Sequence, residues 1–221
     1  MIKIISENGK VGASPLISIV VLTYPERKEK FNTLKALILS ALERHAEKVE
    51  FLSIHSPKGT PKIGAKRQIG LDAVKGAYFV MIDDDDLIIE NYFDKVIYHI
   101  ERDFPDCVGY LIDCEFYRDG KLDNTASAII SNLYTGLANT VKHPIHSITQ
   151  GIYYKNPVRT ALAKIVGFEN KSFAEDQDFS IALKPYLRKE SFINEVLYYY
   201  IYDAKTGETR AQRYGDKTLK G

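Results

Sequence analysis

The sequence predicts a single α/β domain with a mostly parallel central sheet flanked by helices. Its 221 residues suit one domain, and a composition of 45% hydrophobic and 27% charged residues can bury a substantial core. Short apolar runs of strand length alternate with longer amphipathic runs of helix length through the first half of the chain. Because alternating strands and helices pair their strands in parallel through right-handed crossovers, this order favours an α/β sheet.

The first half contains three strand–helix units. Strands are predicted where short runs are rich in β-branched and aromatic residues, at 17–23, 49–55 and 77–82. Helices are predicted where apolar residues recur at helical spacing, at 29–44, 63–75 and 91–102. Gly76 follows the second helix in the position of a C-terminal cap.

The second half is more mixed. The pair Asp119-Gly120 is a hairpin signal between two predicted strands at 108–116 and 122–130. Further elements are predicted at 148–154 (strand), 157–166 (helix opened by a proline), 179–186 (helix) and 196–202 (strand). We divide the chain into a lead segment (1–16), a domain (17–202, with halves 17–104 and 105–202) and a basic tail (203–221).

Charge and cysteine content exclude several classes of protein. The formal net charge is +1, which gives no global field for capturing a polyanion. The two cysteines do not form a disulfide framework, so a reduced, cytoplasmic protein is expected. We expect neither a signal peptide nor a transmembrane segment, although a peripheral place at a membrane is compatible with the sequence.

Polar residues follow three of the predicted strands. They are Thr23-Tyr24, His55-Ser56 and the run Asp83-Asp84-Asp85-Asp86. Ligands of such sheets bind beyond the carboxyl ends of the strands, so we expect these residues to converge on one crevice.

The four aspartates are candidate metal ligands. Carboxylate oxygens suit Mg²⁺ or Mn²⁺, which commonly hold a diphosphate with one or two protein carboxylates. The alternative is a solvated acidic loop that complements the dipole of the following helix. Upstream, Lys62, Lys66 and Arg67 open a predicted helix, an arrangement typical of an anion site, although a solvated helix face would show the same residues.

Four motifs in order resemble family 2 glycosyltransferases, which have the Rossmann-like GT-A fold. The first is the strand ending in Thr23-Tyr24; the second is the helix 64–70 with its Lys66-Arg67, followed by Gly76-Ala77-Tyr78. The third is Asp83 to Asp86, a D-x-D turn. The fourth is Gly167-Phe168 with Glu175-Asp176. The resemblance covers about residues 17–202.

The resemblance implies an inverting transfer of a sugar from a nucleoside diphosphate to an acceptor hydroxyl, with Mn²⁺ or Mg²⁺ as cofactor. It places Asp85 and Asp83 at the metal, and Asp176 as the base with Glu175 beside it. It also implies a donor-binding set: Thr23, Tyr24, His55, Lys66, Arg67, Asp83 and Asp84. In the family an Asp that reads the nucleobase often stands where this chain has His55-Ser56. UDP is taken only as the default nucleotide.

Several alternatives stay open from the sequence. A nucleotidyltransferase also joins an α/β sheet to metal-binding aspartates, and a non-catalytic sugar- or nucleotide-binding module would need no Glu175-Asp176 pair. The acceptor is expected to be a saccharide or glycoconjugate, with a hydroxymethylated DNA base as the second choice because the tail is basic. His143 and His146 are expected to be structural or exposed rather than metal ligands.

Overall fold

The computed structural model describes residues 1–9, 11–132, 140–141 and 148–203, and its framework is one mixed sheet flanked by helices. His143, His146 and the basic tail beyond Asp203 lie outside the described residues. Within those residues, no helix has the length and apolar character needed to cross a bilayer.

The described part of the sheet contains both parallel and antiparallel strands. Its strands are β1 (Lys3–Ser6), β2 (Ile17–Thr23), β3 (Val49–His55), β4 (Tyr78–Asp83), β5 (Leu87–Ile88), β6 (Cys107–Arg118), β7 (Lys121–Ile130), β8 (Thr140–Val141), β9 (Ile148–Gln150), β10 (Val158–Arg159) and β11 (Glu190–Asp203). They lie in the order β1-β3-β2-β4-β10-β6-β7-β9-β8, and β11 pairs with β5 and β6.

The parallel centre is the trio β3, β2 and β4, in which β2 pairs with both neighbours. Every residue of β2 except Leu22 is buried. Because helices cover both faces of a parallel sheet, such strands appear in a sequence as continuous apolar runs rather than alternating ones. The predicted fold class, an α/β domain with a mostly parallel central sheet, is confirmed.

The described helices flank this centre. They are α1 (Lys28–Leu42), α2 (Ile63–Ala73), α3 (Tyr92–Asp103), α4 (Thr160–Val166) and α5 (Glu175–Leu183). In α3 the buried residues Phe93, Val96, Ile97 and Ile100 recur at helical spacing, so one stripe of the helix packs on the core. Short 3-10 turns stand at Pro25–Arg27, Glu43–His45 and Lys184–Tyr186.

The hairpin predicted from Asp119-Gly120 is confirmed. Both residues have positive φ, 53° and 75°, and β6 pairs antiparallel with β7 on either side of them. A two-residue turn with positive φ at both positions matches the twist of its flanking strands. This hairpin extends the sheet on the side away from β1.

Several boundaries differ from those predicted, including the last strand, which runs from Glu190 to Asp203 rather than over 196–202. The lead segment is part of the sheet, because β1 pairs antiparallel with β3. The strand predicted at 148–154 ends at Gln150, and an irregular segment continues to β10. The helix predicted at 157–166 begins at Thr160, because Val158 and Arg159 form that strand. The helix predicted at 179–186 begins earlier, at Glu175. The sequence did not indicate this start, because the first turn is made of polar residues that show no helical periodicity.

Candidate active site

A cavity of about 750 Å³ opens beyond the carboxyl ends of β2 and β4. It is bounded by the turn after β4, the start of α2 and the first turn of α5. Nine of the ten residues predicted from the sequence line it: Thr23, Tyr24, Lys66, Arg67, Asp83, Asp84, Asp85, Glu175 and Asp176. The convergence expected from the ends of parallel strands is therefore present.

His55 is the predicted donor-binding residue that does not line the cavity. Its ring shares a 2.9 Å hydrogen bond with the Ser53 hydroxyl and packs edge-on against Phe31 at 5.3 Å. Side chains alternate along a strand, so the next residue faces the other way. Ser56, not His55, lies at the cavity.

Asp83 is held by three side chains. Its Oδ2 accepts hydrogen bonds from the Tyr154 hydroxyl and the Lys155 ammonium, each at 2.8 Å, and its Oδ1 lies 3.6 Å from the Arg67 guanidinium. Burial alone would raise the pKa of this carboxyl, but Lys155 and Arg67 hold the pKa well below its usual range. Asp83 is therefore an anion throughout the neutral range.

Asp84 and Asp85 share one cation. Nη1 of Arg27 lies 2.7 Å from Asp84 Oδ1 and 3.0 Å from Asp85 Oδ2, and the guanidinium stacks 5.0 Å above the ring of Tyr24. Burial raises the pKa of Asp84 to about 6 and also raises the pKa of Asp85, in each case against the attraction of Arg27. The other oxygen of Asp84 is buried without a hydrogen-bond partner among the described residues.

Asp86 points away from the cavity into the protein. It accepts hydrogen bonds from the Tyr198 hydroxyl (2.6 Å) and the Ile201 backbone N–H (2.9 Å), and it also pairs with Lys155. Burial raises its pKa to about 6 despite the nearby ammonium. Asp86 thus attaches the aspartate turn to β11.

Arg67 connects the two sides of the cavity. From α2 it donates a 3.1 Å hydrogen bond from Nε to Glu175, and its guanidinium lies 3.5 Å above the centre of the Tyr154 ring. The same guanidinium is 3.6 Å from Asp83. One buried side chain therefore contacts both the aspartate turn and the first residue of α5.

The first turn of α5 carries the predicted base. Glu175 is buried, and burial raises its pKa against the pull of Arg67. Asp176 is half-buried and accepts a 2.8 Å hydrogen bond from the Gln177 backbone N–H. The helix is preceded by Ala174, whose φ of 59° lies in the left-handed region. Strained backbone of this kind is common where the chain must aim a functional side chain.

The cavity also has an aromatic wall, formed by Phe116, Tyr200 and Tyr202. The ring of Phe116 lies 6.4 Å from that of Tyr200 and 6.2 Å from that of Tyr202. All three line the same cavity as the aspartate turn. Pairing of β6 with β11 places Tyr200 opposite Cys114 and Tyr202 opposite Phe116, so the rings share one face of the sheet.

These elements match a known family. A sequence model described as glycosyl transferase family 2 matches residues 40–158, which is more than half of the chain. The chain belongs to glycosyl transferase family 2.

Solved structures with the same fold include three of S. aureus TarS 1-349. The first has a TM-score of 0.53 and 17% identity, and the match covers 84% of this chain and 60% of that one. The complex with UDP-GlcNAc has a TM-score of 0.52 and 16% identity (84% and 58% covered), and the complex with UDP has 0.55 and 16% (84% and 60% covered). This chain therefore spans about 60% of the length of those structures. No curated protein sequence matches it.

Two positively charged residues of the site were not predicted from the sequence. Arg27 follows β2 in a short 3-10 turn, and Lys155 lies in the irregular segment before β10. Neither belongs to a motif or a periodic pattern, because tertiary contacts alone bring them to the aspartates. The only available signal was electrostatic, since four adjacent carboxylates at a buried strand end require nearby positive charge.

The aspartate turn fits a divalent cation of the kind that this family suggests. Within the described residues no group of three or more His, Cys, Asp or Glu side chains forms a metal site by itself. However, the five carboxylates of Asp83–Asp86 and Glu175 make ion pairs with three cations, Arg27, Arg67 and Lys155. Five carboxylates against three cations leave a surplus of negative charge, and Asp83, Asp84 and Asp85 line the cavity.

Proposed function

We propose that this chain is a metal-dependent, inverting glycosyltransferase that moves a sugar from a nucleoside diphosphate to an acceptor hydroxyl. The observation that carries the proposal is the continuity of the cavity. Arg67 joins a carboxylate turn suited to a metal–diphosphate pair to a helix start that presents a second carboxylate, Asp176. A displacement at an anomeric carbon needs a stabilised leaving group on one side and a base on the other.

The donor lies at the carboxyl ends of β2 and β3 in this proposal. Thr23, Tyr24 and Ser56 line that end of the cavity and are placed to surround the nucleobase and ribose. Lys66 and Arg67, in the first turns of α2, supply positive charge at a helix N-terminus, where anions are favoured. We propose UDP as the nucleotide, supported by the TarS structures in complex with UDP and UDP-GlcNAc.

Asp85 and Asp83 are the residues that would hold Mn²⁺ or Mg²⁺. Asp85 lines the cavity beside Arg27, and Asp83 lines it with Oδ2 bound to Lys155 and Tyr154 and Oδ1 3.6 Å from Arg67. A bound divalent ion supplies neutralisation of the charge that develops on the departing diphosphate. Without an added cation, a diphosphate in this cavity would meet the surplus of negative charge on the turn.

Asp176 is proposed as the base. The acceptor hydroxyl transfers its proton to the Asp176 carboxylate as its oxygen bonds to the anomeric carbon. The bond from that carbon to the donor phosphate oxygen breaks with its electron pair, and the nucleoside diphosphate leaves. Glu175 is held by Arg67, so its role is to fix the position of Asp176 rather than to take the proton.

The acceptor is proposed to be a saccharide or glycoconjugate. The aromatic wall of Phe116, Tyr200 and Tyr202 presents ring faces and edges to the same cavity as Asp176. Apolar ring surfaces suit the C–H faces of a sugar, and the tyrosine hydroxyls can bond its polar edge. A hydroxymethylated DNA base, which would stack on the same rings, is the alternative acceptor that a transfer assay would compare.

The metal is tested by binding of UDP. We expect UDP to bind appreciably only with Mn²⁺ or Mg²⁺, because the ion offsets the charge of the turn, and Asp85→Ala should abolish that dependence. Isothermal titration with UDP, in Mn²⁺ and in EDTA, measures it. Asp178→Ala is the control, because Asp178 pairs with Lys171 on the exposed side of α5. Equal UDP affinity in EDTA and in Mn²⁺ would refute the proposed metal dependence of donor binding.

The base is tested by an isosteric substitution. Asp176→Asn should lower kcat on the order of 10²–10⁴-fold with donor affinity unchanged, because the amide keeps the shape but accepts no proton. Asp178→Asn, two residues along the same helix, should change kcat little. The measurement is steady-state release of nucleoside diphosphate in the presence of acceptor. Near-normal turnover of Asp176→Asn would place the base elsewhere and remove the inverting mechanism.

A further inference from the structure

Lys155 is a buried ammonium in the middle of the aspartate turn. Its side chain is 3% exposed, and Nζ lies 2.8 Å from Asp83 Oδ2 and in direct contact with Asp86 Oδ2. The rings of Tyr198 and Tyr200 lie 4.8 and 4.7 Å from the same nitrogen. The ammonium thus pairs directly with two carboxylates and is their counter-ion inside the protein.

The backbone around Lys155 is fixed independently of the turn. Its carbonyl oxygen accepts a hydrogen bond from the Tyr110 hydroxyl. The carbonyl of Tyr154 accepts a 2.7 Å hydrogen bond from the Met81 N–H, which ties the segment to β4. The buried side chain of Asn156 donates a 3.1 Å hydrogen bond to the Val108 carbonyl. These contacts hold the ammonium in place, so its charge acts as a constant feature of the site.

The position of this charge divides the four aspartates into two pairs. Asp83 and Asp86 are partnered from inside the protein by Lys155, whereas Asp84 and Asp85 share Arg27 at the cavity side. Asp86 is fully occupied by Lys155, Tyr198 and Ile201 and turns no oxygen to the cavity. The net negative charge that the turn presents to a ligand in the cavity is therefore smaller by the one positive charge of Lys155.

We propose that Lys155 is the resident counter-cation of the donor site, and that its charge makes the aspartate turn tolerant of a nucleoside diphosphate. The inference rests on the proposed function. Lys155 lines the cavity beside Asp83, and its ammonium pairs with Asp83 and Asp86, so it acts through the electrostatic potential at the cavity. Without it the turn is more negative by one charge, which favours a divalent cation and disfavours a diphosphate.

The affinities for UDP and for Mn²⁺ should change in opposite directions, which loss of structure would not produce. Lys155→Met should weaken UDP binding in saturating Mn²⁺ on the order of tenfold, and should strengthen binding of Mn²⁺ alone, as expected for one charge acting across a few ångströms of protein. Both are measured by isothermal titration, with thermal unfolding as the check on folding. Lys164→Met, a Lys-to-Met change on α4 away from the turn, should leave both affinities unchanged.

A charge-balanced variant separates electrostatics from packing. Asp86→Asn combined with Lys155→Met removes one charge of each sign and leaves no unpaired carboxylate at the buried position. It should return both affinities to within about threefold of the wild type, and Asp86→Asn alone should shift them in the opposite direction to Lys155→Met. If Lys155→Met does not fold, comparing Asp86→Asn with the double variant measures the same loss of one positive charge.

The outcomes are distinct. Unchanged affinities in Lys155→Met, or a parallel loss of both that the double variant does not restore, would overturn the role of Lys155 while leaving the proposed function intact. A wild-type protein that binds neither UDP with Mn²⁺ nor Mn²⁺ alone would overturn the proposed function, and the role of Lys155 with it.

Discussion

Gly64 controls the distance between the two sides of the site. It lies in the first turn of α2, and its N–H donates a 3.0 Å hydrogen bond to the Lys171 carbonyl. A Cβ at this position would lie 1.9 Å from the Glu169 carbonyl oxygen and 3.2 Å from the Lys171 nitrogen. Carbon–oxygen contacts are usually about 3.3 Å or longer, so Gly64→Ala must displace the 169–171 backbone by more than about 1 Å.

That displacement reaches the proposed base, because residues 169–171 lead within a few positions into α5. A misplacement of about 1 Å at a catalytic group can lower activity about 10²-fold. Overpacking costs about 1–3 kcal/mol, partly offset by the better helix propensity of alanine, about 1 kcal/mol. We expect Gly64→Ala to lose most turnover while its Tm falls by no more than about 10 °C.

Gly70 is the matched control in the same helix. A Cβ there would meet Val20 Cγ1 at 2.8 Å and Met81 Cε at 3.1 Å, so the clash is with side chains of the central strands and not with the backbone that leads to α5. Gly70→Ala should therefore keep near-normal turnover at a similar cost in stability. Both variants are compared by thermal unfolding and by release of nucleoside diphosphate. Full activity of Gly64→Ala would show that the contact between α2 and residues 169–171 does not position Asp176.

Two further predictions concern charges outside the proposed base. Burial would raise the pKa of Glu7, but its hydrogen bonds with Lys35 and Ser53 lower the pKa below the ordinary value. The ionised Glu7 therefore stabilises the fold above about pH 4, and this stabilisation is lost as pH falls through the lowered pKa. Glu7→Gln should cost about 1 kcal/mol at pH 7 in denaturant titrations, and progressively less as pH falls through the lowered pKa; a pH-independent cost would contradict this. Arg27→Gln frees the carboxylates of Asp84 and Asp85, so titration should show Mn²⁺ alone binding about tenfold more tightly, whereas weaker binding would mean that Arg27 shapes the turn for the ion.

The parts of the fold that the sequence predicted well are those whose signal is local. Strands β2, β3 and β4 are buried on both faces, so each appears as a continuous apolar run. The hairpin was recognisable because Asp119-Gly120 adopts the positive φ values that these residue types tolerate. Because parallel strands end on one edge, the position of the cavity also followed from topology alone.

The start of α5 could not be predicted in the same way. Its first turn, Glu175 to Asp178, is polar throughout and has no apolar periodicity. The residue before it is Ala174 with a left-handed φ, whereas sequence rules expect Ser, Thr, Asp or Asn at such a position. Asp176 therefore lies inside the first turn of the helix and not before it.

Four adjacent aspartates at a buried strand end are explained by how the surrounding cations are distributed. Arg27 comes from the turn after β2, Arg67 from α2 and Lys155 from the segment before β10. Each cation contacts two carboxylates, so no aspartate of the turn is left without a positively charged neighbour. Asp86, the most deeply buried of them, is the one that also binds β11.

The two sides of the aspartate turn are therefore paired with different cations. On its inner side Lys155 pairs with Asp83 and Asp86, and on its outer side Arg27 pairs with Asp84 and Asp85. Arg67 then links the charge state of Asp83 to the position of Glu175, because one guanidinium contacts both. Asp83 and Glu175 therefore share the charge of one guanidinium, which lies between the aspartate turn and the helix start that carries Asp176.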